Sequence, residues 1–228
     1  MLSPSLLNHP SDVKLECVAS SSYHHGDLVN ALLNAADARL AKQGLAGLSL
    51  RQVAADVGVA PSAAYHHFAD RDALVDALAV RALDRLALAV ERRISRVPKA
   101  DALGRLVALG RAYVTWARDE PAHFEIAFGP GRASPNVTSN RRPYGLLEDL
   151  LEDAIAQNLL PAAARPHAAL VVWPAIHGLA ALAAIGPLRK SSEREILRRT
   201  DELTLTVLAG LRARAGDASR RVSDGRSP

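Results

Sequence analysis

The stretch LRQVAADVGVAPSAAYHHFADRDAL, Leu50 to Leu74, decides the reading of the whole chain. Leu50, Val53, Ala54 and Val57 recur at i, i+3, i+4 and i+7, which puts them on one face of a helix little more than two turns long. Gly58 follows where a chain leaving a helix sharply needs positive φ. Pro61 stands where a second helix begins, because its missing N–H is harmless in a first turn. That second helix ends near the aromatic Phe68. Two short helices joined by a glycine turn are a helix-turn-helix, and Ala54 is small enough to let them meet. Upstream, Asp27 is expected to cap a helix with Leu28, Leu32, Ala35, Ala36 and Leu40 on its apolar face and Gly44 at its end. Ser49 with Gln52 three residues on has the pattern of a capping box for the helix at Leu50.

Composition agrees with an all-α protein. The chain of 228 residues is 49 % hydrophobic and 23 % charged, and it is rich in the helix formers Ala, Leu and Arg. Cys17 is the only cysteine, so no internal disulfide forms, as in a reducing cytosol. No apolar run is long enough to cross a bilayer: Ala168–Ile185 comes nearest and is interrupted by Pro174 and His177. The N-terminus lacks the pattern of a secretory signal, and a cytoplasmic protein is expected. The net charge of +4 says little about nucleic acid. Residues 23–94 carry eight basic and eight acidic side chains, and the excess falls in 189–228, with ten against six. Four basic and two acidic residues between Arg39 and Arg71 give a weak local bias.

Four segments are expected. Residues 1–22 are a flexible N-terminal arm, 23–70 a three-helix DNA-binding domain, 71–212 a helical ligand-binding and dimerisation domain, and 213–228 a disordered tail. In the larger domain Asp70 can cap a fourth helix from Arg71 to about Ile94. A fifth carries the stripe Leu103, Leu106, Val107, Gly110, Tyr113, Val114 and Ala117, and Pro121 opens a short sixth. Gly129–Pro143, with three Pro and two Gly, reads as a loop. Leu146, Leu147, Leu150, Leu151, Ala154 and Ile155 mark a seventh helix. The eighth, about Arg165–Ile185, is apolar almost all round, so both faces must be covered. Ser192 with Glu195 can cap a ninth, ending near Leu211. Homodimerisation through the eighth and ninth helices would supply the missing cover.

Leu50–Leu74 closely resembles the DNA-binding region of the TetR family of bacterial repressors, in its Ala-x3-Gly-Val turn, its Tyr-x-His-Phe ending and the basic residue and Leu that open the fourth helix. Tyr23-His24-His25-Gly26-Asp27-Leu28 resembles the opening of a subgroup whose C-terminal domain has a Trp…His-Gly signature, matched here by Trp173, His177 and Gly178. Tyr113–Phe128, with Pro121 and Phe124, also resembles that domain. The chain departs from the family pattern at Val29, Arg71, Ala63, Ala64 and Pro174; Ala63 lacks a group for hydrogen bonding to a base.

The resemblance implies a transcriptional regulator, a repressor that binds a palindromic double-stranded DNA operator as a dimer under control of a small-molecule effector of unknown identity. It implies DNA contacts by Arg51, Ser62, Ala63, Tyr65, His66, His67 and Arg71. Each has a plainer rival: Ser62 can cap its helix, Arg71 can pair with Asp70 or Asp72, and the histidines and Arg51 can be solvated surface. Where histidines meet phosphates, operator affinity should rise as pH falls from about 8 to about 6. An effector pocket is implied around Trp116, Phe124, Phe128, Tyr144, Trp173 and His177, against the rival that they fill a core. No ligand spacing for a metal and no cofactor motif is present, and none of the common catalytic motifs occurs, so no enzyme is expected. The alternatives are a non-specific architectural DNA-binding protein and an enzyme using the helical pocket.

Overall fold

In the computed structural model, residues 25–129 and 142–223 are described, with side chains from 27 to 129 and from 142 to 214. The expected arm at 1–22 and most of the loop expected at Gly129–Pro143 lie outside them. Among the described residues there are nine α-helices and no strand. They are α1 (His25–Gln43), α2 (Leu50–Val57), α3 (Pro61–His67), α4 (Arg71–Ile94), α5 (Ala102–Asp119), α6 (Pro121–Phe128), α7 (Arg142–Ala156), α8 (Ala168–Ala184) and α9 (Glu193–Ser223).

The head, α1 to α3, follows from local chemistry. Leu32, Ala36 and Leu40 of α1 are buried against Leu50, Val53 and Ala54 of α2 and Ala64 and Phe68 of the α3 end. Gly44 leaves α1 at φ +67°, with its N–H on the Leu40 carbonyl. Gly58 closes α2 in the left-handed region at φ +76°, and Pro61 opens α3 after an extended Ala60. Two expected caps differ. Asp27 lies inside the first turn of α1, which begins at His25, so it favours the helix through the macrodipole rather than by capping. Ser49 makes no side-chain cap bond, and the Gln52 side chain that would return to the Ser49 N–H is taken by Arg39, whose guanidinium donates to its Oε1 at 3.0 Å. A charge-assisted bond outcompetes the neutral one a capping box would use. Ala54 is fully buried, so Ala54→Leu should overpack the seam between α2 and α3 and destabilise the protein by about 1–3 kcal/mol. Urea unfolding at the wild-type midpoint would show that this position is loosely packed.

Asp70 caps α4 by accepting from Ala73 N at 2.8 Å, and Asp101 caps α5 by accepting from Gly104 N at 2.7 Å. α4 runs from the head into the larger domain, burying Leu74, Leu78, Leu86 and Val90 along one side. α5 is the centre of the larger domain and passes close to α8 and α9 at Gly110. A Cβ there would meet Thr204 Oγ1 at 3.1 Å, Thr200 Cγ2 at 3.3 Å and Ile176 Cδ1 at 3.5 Å. Thr200 and Thr204 are buried yet satisfied, each hydroxyl donating to the carbonyl four residues earlier. Ser192 caps α9 through Glu195 N, but the Glu195 carboxylate turns to Arg199 and does not complete the box. α9 does not end near Leu211: it continues to Ser223, through a run of Ala and Arg whose propensity outweighs Gly216. α8 begins at Ala168, three residues later than expected, because Pro166 follows a 3-10 turn at Ala162–Ala164. One face of α8 is buried through Val172, Ile176 and Ala180. The other leaves Leu170 65 % and Ile185 56 % exposed, with Val171, Leu182 and, on α9, Leu205 beside them in the exposed set.

Candidate nucleic-acid interface and aromatic cluster

α3 is anchored inward by Ala64 and Phe68, and this places the remaining side chains. Ser62, Tyr65 and His66 are exposed, and Ala63 and His67 are half-buried. Tyr65, 48 % exposed, faces outward, and Phe68 takes the core place. The His66 and His67 rings meet edge to face with centroids 5.5 Å apart. Arg51 is exposed at the start of α2. Arg71 is bound into the protein instead. Its Nε donates to Leu48 O at 2.9 Å and one terminal nitrogen to Leu45 O at 2.6 Å, while the other lies 3.8 Å from Asp72. It therefore braces the α1–α2 loop from the first residue of α4 and satisfies two loop carbonyls. Of the internal partners weighed from sequence, only Asp72 is near, and the carbonyl partners were not legible there.

In the larger domain the six residues expected to line a pocket form one connected chain of rings. Centroid separations are 6.4 Å from Trp116 to Phe124, 5.3 Å from Phe124 to Phe128 and to His177, 5.0 Å from Phe128 to His177, 5.3 Å from His177 to Trp173, and 5.9 Å from Trp173 to Tyr144. Sequence reasoning missed Tyr113, whose position three residues before Trp116 puts it on the same helix face. Its hydroxyl lies 2.9 Å from His177 Nδ1. Burial pushes the Tyr113 hydroxyl far above the usual phenol range, against an opposing bond from Trp173, and burial pushes His177 down. Both groups are thus held neutral. With Trp173 bonded to the Tyr113 oxygen, His177 Nδ1 is the acceptor left for the buried Tyr113 O–H among the described residues, which assigns the His177 proton to Nε2. The Trp116 indole N–H is buried without an acceptor.

The depressed His177 carries a pH signature. As pH falls below about 6.5, the unfolded chain takes up a proton at this residue that the folded chain resists. The neutral ring's contribution to stability is therefore complete above that pH and shrinks as pH falls. Thermal unfolding of His177→Asn between about pH 7.5 and 5.5 should show a shallower loss than wild type. Parallel slopes would assign the acid loss to other groups.

A closed circuit of polar side chains joins the head to the larger domain. Asp37 of α1 accepts from Arg85 of α4 at 3.0 Å and lies 3.2 Å from His123 Nε2 of α6. His123 Nδ1 is 3.2 Å from Glu120, at the α5–α6 corner. Glu120 returns to Arg85 Nε at 3.3 Å, an ion pair off the line a hydrogen bond needs. Arg81 stands 3.7 Å from Asp37 as well. Burial acts to raise Asp37, but the bonds from His123 and Arg85 outweigh it and leave its carboxyl below the usual range. His123 is 7 % exposed, and Phe124 of the ring chain is the next residue.

A head of two short helices in a helix-turn-helix, set on a helical domain by a long α4, defines a class of bacterial regulator, and comparison with known proteins agrees. Residues 32–78 match the family described as bacterial regulatory proteins, tetR family, and 106–207 match the tetracyclin repressor-like C-terminal domain. The chain belongs to the TetR family of transcriptional regulators. A solved structure of a protein of unknown function from Rhodococcus sp. RHA1 is 34 % identical, with a TM-score of 0.69, covering 84 % of this chain and 99 % of that one. A tetR-family regulatory protein from Rhodococcus RHA1, 23 % identical, shares the fold with a TM-score of 0.59 over 79 % of this chain and 96 % of its own. The HTH-type transcriptional regulator Rv1816 of Mycobacterium tuberculosis is 34 % identical over 124 residues. That match covers 52 % of this chain and 53 % of the relative, so the chain spans about half the length of the curated relatives it matches.

Proposed function

We propose that the protein is a repressor that binds a palindromic DNA operator as a homodimer and changes its grip when a small molecule occupies the aromatic cluster. The observation that carries this reading is the face of α3: Ala64 and Phe68 hold the helix in place while Ser62, Tyr65 and His66 are exposed on the side a groove would meet. Arg51 supplies a charge beside it. The exposed apolar face of α8 and α9 would be covered by a second copy, setting two α3 helices about 34–36 Å apart or a multiple of this. Arg71 serves this reading as a brace for the head and not as a phosphate clamp.

Selection of bound sites from a random DNA library supplies the operator, and anisotropy at fixed salt then tests the residues. Tyr65→Ala and the pair His66→Gln and His67→Gln should each weaken operator binding by about tenfold or more and leave random-sequence binding nearly unchanged. Arg51→Ala should weaken both and reduce the salt slope by about one. The histidine pair should also reduce any gain in operator affinity on acidification. Equal affinity of the wild type for operator and random DNA would favour an architectural DNA-binding protein.

A further inference from the structure

The aromatic residues of this chain are few and unevenly placed. There are nine, and all six that follow Phe68 belong to the single network around His177. Volume alone does not call for this, since α4 fills its long buried side with Leu, Ala, Val and Ile. The polar groups in the network are also one-sided. Tyr113 gives its proton to His177 Nδ1, which leaves His177 Nε2–H as a donor with no acceptor among the described residues. Trp116, 5 % exposed, buries a second indole N–H that meets no acceptor. Native interiors rarely leave a buried donor such as the Trp116 N–H unmet unless another partner takes it, and the half-buried His177 keeps its Nε2 open to one. Among the described residues no ion pair or cation–π contact joins the network. The space is there at one end: a groove of about 440 Å³ between α7 and the start of α8 has Tyr144 in its wall, with Leu151, Ile155 and Ala169.

We propose that the effector is an uncharged aromatic molecule bearing a hydrogen-bond acceptor, a carbonyl or a ring nitrogen, stacked against the half-buried Tyr144 and Trp173 with the acceptor on His177 Nε2–H. This rests on the reading of the cluster as the effector site. Rings of this kind stack on other rings at the separations seen here. Among the rings a carboxylate would meet no cation, since Arg165 in the groove is taken by Glu152, and a quaternary ammonium would face two N–H groups with no carboxylate beside them. Glu148, Glu152 and Arg165 line the same groove as exposed side chains, Arg165 paired with Glu152 at 2.8 Å. Trp116 Nε1–H is the second donor, for a ligand with a second acceptor.

The test uses four naphthalenes of one shape: methyl 2-naphthyl ketone, its isopropenyl hydrocarbon analogue, 2-naphthoate and 2-naphthyl-trimethylammonium. Calorimetry on the full chain should give the ketone one site per chain and about tenfold tighter binding than each of the others. His177→Phe should bring the ketone to the hydrocarbon's affinity and leave the hydrocarbon's own affinity unchanged, a split that a merely structural role would not produce. Equal binding of ketone and hydrocarbon, a preference for the ammonium or the carboxylate, or no binding by any of the four up to about 1 mM would overturn the assignment. Operator release separates the two readings. A charged probe that binds best and releases DNA keeps the effector site and overturns its class. A ketone that binds as stated and leaves operator affinity unchanged keeps the class and overturns the effector role.

Discussion

Replacing His123 by alanine is expected to cut the response of operator binding to effector by about tenfold or more, and to lower stability by about 1–3 kcal/mol. The ring of Asp37, Arg85, Glu120 and His123 spans α1, α4 and the α5–α6 corner, so it ties the reading head to the domain that holds the aromatic cluster. Each His123 nitrogen faces a carboxylate, Nε2 at 3.2 Å from Asp37 and Nδ1 at 3.2 Å from Glu120. Removing it takes the imidazole away from Asp37 and from Glu120 together. Both keep Arg85 and both are partly solvated, which is why the expected loss is below that of a fully buried pair. The functional consequence comes from Phe124. A ligand that repacks this ring moves the helix turn carrying His123, and through Asp37 the motion reaches α1 as well as α4. Ligand must bind the two arrangements unequally for such a shift to occur. His123→Gln keeps one donor and should retain part of the response. Asp37 adds a pH limit: its carboxyl is held low, so its contribution is in place at neutral pH and is lost only as pH falls below about 4. Operator anisotropy with and without effector, beside urea unfolding, reads both effects. A variant with wild-type response would place the coupling in α4 packing alone.

Leu182→Asp is expected to split the proposed dimer, raising its dissociation constant by about 100-fold or more. Leu182 is 45 % exposed in the single chain, so the substitution leaves the fold of one copy intact and circular dichroism should not change. In a dimer built on α8 and α9 the same carboxylate would be buried without a partner. Operator affinity should fall with it, because two linked heads act at high effective concentration and one head does not. Leu182→Ala, which removes area without adding charge, should have a much smaller effect. A wild-type chain that sediments as a monomer at micromolar concentration would remove the proposed interface, and the face of Leu170, Leu182 and Ile185 would need another cover.

The aromatic cluster shows how far pattern alone could reach. Six of its members were legible because Trp, Phe, Tyr and His are conspicuous in a chain of Ala and Leu. Their contact was not, since Trp116, Tyr144 and Trp173 lie on three helices whose crossings no periodicity encodes. Tyr113 read as one more member of the α5 stripe, and its bond to His177, 64 residues away, has no local signal.

What the sequence by itself determined is the set of choices made within a few residues: the turn at Gly58, the start at Pro61, the cap at Asp70, and the inward Ala64 and Phe68 that turn Tyr65 outward. The turn, the start and the cap are steric and hydrogen-bonding matters of the local backbone, and the inward pair follows from apolar spacing on one short helix. The tertiary structure alone decided where the long polar side chains go. Arg71 went to two loop carbonyls, Gln52 to Arg39, and Asp37, Arg85, Glu120 and His123 to one another. A guanidinium or an imidazole has several acceptors within reach on a flexible stem. Which one it takes depends on how the helices cross, and that is set by the packing of the apolar faces beneath them.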